Sequence, residues 1–423
     1  MRLVWRVCVG CVVVSCLAAD GAAQTLLTWP EIRARFETNN PTVQAGQLGV
    51  EESKAAETTA YLRPNPQFSL TNDQINLLGQ PTNPLQNLIT VANVSYLHER
   101  QQKRELRLDS AQGATTIVAS MQADLMRNLL FALRSAFVQT LQAKAFRALA
   151  QDNLSTYDQV LALSQDRLQV GDIAQIDLDR LQLQRVSYES DAQTADINLR
   201  LAKLQLLRLL NDSTPVDQFD VNGPFDFASP AQTLDDLRQM ALDTRPDLKA
   251  ATAAVEKAKT DHRLANANGS TDPVFSVDAG FPQSPQSYTP ALNQYVGIGV
   301  SVPLRLFDRN QGEKLRTQLD ITRNEKLAEA AERQVFGDVD SAYATVMSTV
   351  ALLKPYQATY LDQATRVRDT VTFSYQNGGA SLLEFVQAQQ EYRSVQVAYV
   401  NLVAAFLNAV GQLNLAIGRE VIQ

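Results

Sequence analysis

Two kinds of apolar periodicity divide this chain. Phe275, Val277, Ala279 and Phe281 alternate with Ser276, Asp278 and Gly280, and Val296, Ile298, Val300 and Val302 alternate with Gly297, Gly299 and Ser301. A period of two puts each set on its own face of a β-strand. Counterparts in the first half, over 67–71 and 88–96, alternate less cleanly. A hairpin in a soluble sandwich would carry the same pattern. Faces of Gly, Ser and Asp, however, suit the lumen of a membrane barrel whose apolar face meets lipid.

The remainder follows the helical period. Proline is absent from 102–169, 172–210, 311–354 and 357–418, and at about 1.5 Å per residue a helix of about 60 residues reaches about 90 Å. That is far longer than a globular domain needs. Ile176, Leu183, Ser190, Ile197 and Leu204 recur every seven residues, and so do Leu181, Tyr188, Ala195, Ala202 and Leu209. The second series lies about 140° round the helix from the first. Two seams predict two helical neighbours, as in a closed ring, whereas a dimeric coiled coil needs one. Gln182, Gln184, Gln193 and Gln205 fall between the seams, which suits a tube wall wetted on both sides.

The chain also repeats itself. Asn40-Pro41 is echoed by Arg245-Pro246, Val94-Ser95 by Val300-Ser301, Lys103-Arg104 by Arg309-Asn310 and Gly171 by Gly378, at spacings of 205, 206, 206 and 207 residues. Fixed spacing at matching punctuation points marks a tandem duplication. The expected units are 24–211 and 231–423, joined by a linker or equatorial segment at 212–230 that contains Pro215, Gly223, Pro224 and Pro230. Each unit should run helix, strand pair, long helix, long helix. The first helices are expected at 41–62, stopped by Arg63-Pro64-Asn65-Pro66, and at 246–266, ending at Asn268-Gly269.

The amino terminus has its own signal. Arg2 and Arg6 precede an apolar run from Val7 to Ala19, too short for a permanent span and suited to export, which makes 1–23 a signal peptide. Cleavage near Ala23 after Gly21-Ala22 competes with a lipobox reading of Val13-Val14-Ser15-Cys16, in which Cys16 is lipidated. Cys8, Cys11 and Cys16 are the three cysteines, so the mature chain has neither a disulfide framework nor a thiolate metal site. Beyond the signal, no apolar stretch approaches the roughly 18 residues of a spanning helix, and membrane entry is expected through strands. With 38 basic and 45 acidic residues there is no basic stripe for nucleic acid.

Four strands per chain cannot close a barrel, and an open edge in lipid leaves backbone groups unpaired at several kcal/mol each. Two chains would pool eight strands and three would pool twelve. Only the larger number leaves a comfortable aqueous passage, which favours a homotrimer.

At this point the residues resemble the TolC-like outer-membrane factors of tripartite efflux and secretion systems. The carriers are Arg63-Pro64-Asn65-Pro66, the segment Val302-Pro303-Leu304-Arg305-Leu306-Phe307-Asp308-Arg309-Asn310-Gln311-Gly312, and the turns Arg167-Leu168-Gln169-Val170-Gly171-Asp172 and Phe373-Ser374-Tyr375-Gln376-Asn377-Gly378-Gly379. The resemblance covers about Leu26 to Gly418. It implies a mainly α fold with a small β part: a trimeric transmembrane β-barrel continued into the periplasm by a tube of long helices. It further implies a periplasmic adaptor and an inner-membrane pump, and the Pro64-Asn65-Pro66 and Phe307-Asp308-Arg309-Asn310 segments look most like the branch that serves heavy-metal cation pumps of the resistance-nodulation-division type. The implied function is a passive exit duct for heavy-metal cations or small toxic compounds. The exit component of a type I protein-secretion system, or an adhesive envelope coiled coil, are the alternatives.

The narrow end is the informative place in a duct. Gly171 and Gly378 mark reversals of long helices and are expected in left-handed backbone. Six residues beyond them stand Asp177 and Glu384, matching the tip acids of the family. In a trimer they would form rings that attract cations; alternatively they are first-turn carboxylates favouring the helix dipole. Arg180 and Gln387 stand where a second acid could reinforce a gate. Adaptor docking is expected at Leu168, Val170, Gly171, Asn377, Gly378, Ala380 and Ser381. His98 and His262 read as isolated surface histidines, and neither a metal site, a cofactor nor a catalytic motif is expected.

Overall fold

A computed structural model describes residues 25–73, 88–228, 231–282 and 294–422. The expected signal peptide, Cys16 and Pro230 lie outside the described residues. The elements in chain order are β1 (Thr25–Leu27), α1 (Trp29–Asn39), α2 (Pro41–Tyr61), β2 (Gln67–Asp73), β3 (Ile89–Leu97), α3 (Lys103–Gln169), α4 (Gln175–Leu210) and β4 (Phe219–Val221). There follow α5 (Leu234–Thr244), α6 (Pro246–Asn268), β5 (Val274–Pro282), β6 (Tyr295–Ser301), α7 (Gln311–Pro355), a π-helical turn (Tyr356–Tyr360), α8 (Leu361–Gln376) and α9 (Leu382–Ile417).

The long strands form one antiparallel sheet in the order β2-β3-β5-β6. Its register aligns the alternation of all four strands. Phe68 faces Val94, Val94 faces Val277 and Val277 faces Ile298, giving one apolar row; Ser69, Asn93, Asp278 and Gly297 form the neighbouring row on the opposite face. Phe68, Val94, Val277 and Ile298 are 69%, 49%, 52% and 90% exposed. The sheet thus presents hydrocarbon outward, while an Asn93 Nδ2 hydrogen bond to Asp278 Oδ1 joins its polar face. This is the two-sided pattern of a barrel wall.

Below the sheet, α3 runs unbroken for 67 residues, about 100 Å. Its counterpart passes through Pro355. Proline lacks an amide donor, so the ladder of i to i−4 bonds cannot close there, and the chain continues through the π-helical turn into α8. Pro355 is therefore not the helix boundary that the proline-free runs suggest. The run 357–418 is instead divided at the turn between α8 and α9.

Two further findings concern the packing of the helices. The segment 212–230 holds β4, which pairs in parallel with β1 (Leu26 facing Asp220), and the short helices α1 and α5 precede α2 and α6. Ile32, Phe36, Leu133, Phe137, Phe219 and Val221 close a core there, so this belt is a packed layer around α3. Second, α9 is long and apolar enough to satisfy the length and composition test for a membrane span, contrary to the expectation that nothing beyond the signal would. Its apolarity is consumed internally: Val403, Phe406, Val410, Leu413 and Ile417 are buried in one cluster with Val339, Val346 and Leu353 of α7. Buried Arg245 joins α6 to α7, with Nη2 2.5 Å from Asp247 and Nη1 2.7 Å from Asp338.

Candidate functional site

The tip lies where α3 turns into α4 and α8 into α9. Both turns close alike. The Gly171 N–H donates to Leu168 O at 3.0 Å and Asp172 N–H to Arg167 O at 2.9 Å; the Gly378 N–H donates to Tyr375 O at 3.2 Å and Gly379 N–H to Ser374 O at 2.8 Å. Gly171 and Gly378 have φ of 85° and 76°. At Gly171 an added Cβ would meet nothing within 4 Å, so backbone conformation, not space, demands glycine there. Val170, Gly171, Asn377, Gly378 and Ser381 are exposed, while Leu168 and Ala380 are half-buried.

Asp177 and Glu384 occupy the same third position of α4 and α9, but their surroundings differ. Ser381 caps α9: its N–H and Oγ both meet Glu384 Oε2, at 2.7 and 2.9 Å, and Glu384 N–H returns to Ser381 Oγ at 3.3 Å. That reciprocal box holds the Glu384 carboxyl below its usual range, chiefly through the Ser381 backbone hydrogen bond and then its hydroxyl. In α4 the capping residue is Ala174, which offers no side-chain acceptor. Asp177 instead approaches Arg180, 3.8 Å from Nη1 to Oδ1. Gln387 donates to Glu391 at 3.0 Å. The four residues singled out for a gate thus make their contacts within their own helices.

What joins the two hairpins is an aromatic cluster that the sequence reading missed. Tyr157 of α3 stacks on Tyr188 of α4 at 4.7 Å, and Tyr375 of α8 on Phe385 of α9 at 4.9 Å; Tyr157 and Phe385 lie 6.3 Å apart. All four are at most 5% exposed. The hydroxyls of Tyr157 and Tyr375 are buried without a hydrogen-bond partner among the described residues, and burial pushes the Tyr157 phenol well above its usual range. Arg167 spans the hairpins, donating from Nη1 to Tyr375 O at 2.8 Å. Lower down, Arg393 of α9 pairs with Asp191 of α4. The one available signal was Tyr188, which lies on a heptad seam.

The two seams of α4 have different fates. Leu181, Tyr188, Ala195 and Ala202 are 0%, 4%, 7% and 5% exposed, whereas Ile176, Leu183, Ile197 and Leu204 are 57%, 75%, 59% and 46% exposed. Among the described residues one neighbour is present and the second is not.

No group of three metal-ligating side chains occurs among the described residues. His262 meets Thr317 and Asn266, each at 3.0 Å, and His98 lies against Phe275.

Comparison with known proteins fits this geometry. The model of the outer membrane efflux protein family matches residues 237–419. The cobalt-zinc-cadmium resistance protein CzcC of Cupriavidus metallidurans is 21% identical over 75% of this chain and 74% of its own. The pyoverdine export outer membrane protein OpmQ of Pseudomonas aeruginosa is 25% identical over 70% of this chain and 62% of its own. Among solved structures, CusC aligns with a TM-score of 0.76 at 18% identity, covering 92% of this chain and 91% of that one. VceC of Vibrio cholerae aligns at 0.74 and 16%, covering 92% and 96%. The fold is that of the TolC-like channels. Over residues 237–419 the chain is similar to the outer membrane efflux protein family.

Proposed function

We propose that three copies of this chain close a barrel and a continuous helical tube, forming the passive exit duct of a tripartite efflux system. The observation that carries the reading is incompleteness at both levels. The sheet has two open edges, β2 and β6, beneath a hydrocarbon-facing surface, and one α4 seam is bare. Edges cannot remain open in lipid, and three copies pooling four strands each satisfy both needs. In this reading 24–211 and 231–423 are the repeated units, and the belt containing 212–230 marks the equator.

The tip is the end that meets a periplasmic adaptor and, through it, an inner-membrane pump of the resistance-nodulation-division type. Exposed Val170, Gly171, Asn377, Gly378 and Ser381, with half-buried Leu168 and Ala380, offer the docking surface. Of the two tip acids, Asp177 is the better gate element, because Glu384 is engaged in capping α9. Likeness to CzcC supports divalent heavy-metal cations as cargo, with the pump making the selection and the duct performing no catalysis.

Reconstitution into planar bilayers tests the duct: discrete conductance steps are expected, and a silent bilayer would reject it in favour of a scaffold. Deletion in the native cell should lower tolerance to cobalt, zinc or cadmium; unchanged tolerance to all three would remove the cargo assignment.

A further inference from the structure

The sheet contains one junction between repeats, β3 against β5, and lacks its symmetric counterpart, because β6 has no β2 beside it within the chain. The sequence states how the two hairpins correspond. Asn65-Pro66-Gln67-Phe68-Ser69-Leu70 is answered by Asp272-Pro273-Val274-Phe275-Ser276-Val277, 207 residues on, and Val94-Ser95 by Val300-Ser301, 206 residues on. The hairpin registers obey the same offsets, with Gln67 facing Ser95 and Val274 facing Ser301. The internal junction is therefore a pattern for the missing one.

We infer that β6 of one copy pairs antiparallel with β2 of the next in the register that β3 already adopts on β5, and that an apolar contact replaces the charged clamp at its base. The inference rests on the trimeric duct proposed above. Within the chain Ser95 faces Ser276, Val94 faces Val277 and Tyr96 faces Phe275. Carried across the repeat, Ser301 faces Ser69, Val300 faces Leu70 and Val302 faces Phe68 of the next copy. This register keeps exposed Val300, Leu70, Val302 and Phe68 on the hydrocarbon side together. A slip by one residue would turn one row into the lumen.

The base of the junction is where the copies depart from each other. Inside the chain, His98 N–H donates to Pro273 O at 2.9 Å, with its ring 6.4 Å from Phe275. Arg100 N–H donates to Asp272 Oδ1 at 2.9 Å, and Lys103 Nζ reaches Asp272 Oδ2 at 2.6 Å and Ser270 O at 3.1 Å. In the corresponding places of the open edges stand Leu304 for His98, Phe68 for Phe275, Asn65 for Asp272 and Arg63 for Ser270. Without the Asp272 carboxylate the cationic clamp cannot form. Leu304 and Phe68, 79% and 69% exposed in the single chain, cover one another instead.

Cross-linking decides the register. The cysteines lie at positions 8, 11 and 16, so Ser69→Cys with Ser301→Cys would supply the mature chain's thiol pair. Facing Cα atoms in an antiparallel pair sit about 4.5–5.5 Å apart, within the disulfide range of about 4.4–6.8 Å. The oxidised double variant in detergent should run as a covalent trimer on a denaturing gel and collapse to one chain with reductant. The offset pairs S69C/V300C and S69C/V302C should stay uncross-linked. Cross-linking through an offset pair, or none through S69C/S301C in protein whose native mass is that of three chains, overturns the register while leaving the duct intact. A native mass other than three chains overturns the trimer first and this inference with it. For the apolar clamp, Leu304→Lys should lower the temperature at which trimers dissociate, whereas Lys103→Ala, acting inside each chain, should leave the S69C/S301C cross-link in place. Unaltered trimer dissociation in Leu304→Lys would remove the apolar contact.

Discussion

Arg167 at the end of α3 donates to the Tyr375 carbonyl at the end of α8 over 2.8 Å, and its guanidinium lies 5.6 Å from the Tyr375 ring. One side chain of the first repeat thereby fastens the tip of the second. If the tip opens by separating the two hairpins, this contact must break. A hydrogen bond from a charged donor contributes about 1.5–3 kcal/mol, so Arg167→Ala should shift the closed-to-open ratio about tenfold to a hundredfold. Single-channel recording reads this directly as a higher open fraction; a wild-type open fraction would place the latch elsewhere.

The second prediction uses the inequality between the repeats. Ser381 and Glu384 form a capping box, whereas Ala174 leaves Asp177 without one. Ser381→Ala should cost about 1 kcal/mol at the start of α9, seen as faster amide exchange in its first turn and little change in α4. The Glu384 carboxyl is held below its usual value. Its contribution is thus present above the unfolded value and disappears as pH falls through the folded one. The protection factor of the first-turn amides of α9, which is the intrinsic exchange rate divided by the observed rate at the same pH, should fall on acidification below about pH 4.5, and Ser381→Ala should weaken that pH dependence.

Much of this architecture was legible because its signals are periodic. Alternation over Phe275–Phe281 and the heptads through Leu181 and Leu183 each record a face, and a face survives in the sequence whatever its partner. The equatorial belt was harder. β1 and β4 have three residues each, too few for a period to show, and they pair across almost the whole first repeat. Pro355 misled for a different reason: the π-helical turn accommodates its missing donor, an adjustment of hydrogen bonding that leaves no separate mark in the sequence. At the tip, glycines and acids stood out by type. The Tyr157, Tyr188, Tyr375 and Phe385 cluster did not, since it unites four helices through single aromatic residues.

Asp220 of β4 offers a third test. It is 8% exposed, with Oδ2 2.6 Å from Lys144 Nζ and Oδ1 3.1 Å from Lys203 Nζ. Burial alone would raise its carboxyl; the hydrogen bonds from the two lysines outweigh burial and hold it below the usual 3.8. Stability from this cluster is therefore full above about pH 4 and is lost as pH falls through the folded value. Asp220→Asn leaves buried Lys203 without its anion, and removing one member of a buried pair costs about 3–5 kcal/mol. A denaturant midpoint close to wild type at pH 7 would show that water already serves these lysines.

The last prediction separates the two seams of α4. Leu181 is fully buried within the chain, whereas Leu183, two residues on, is 75% exposed. Truncating the first removes packing already present, so Leu181→Ala should lower stability by about 2–5 kcal/mol while the protein still assembles wherever it folds. Leu183→Glu costs a single chain almost nothing, because its side chain already faces water. In a closed ring the same position meets the next copy, and three carboxylates would be driven into three helical interfaces, where unpaired buried charge is strongly unfavourable. The expected result is a helical, soluble-in-detergent chain with normal far-ultraviolet dichroism and a native mass below that of three copies. If Leu183→Glu instead forms trimers as stable as wild type, the exposed seam faces solvent in the assembly and the ring of helices closes through another surface of α4.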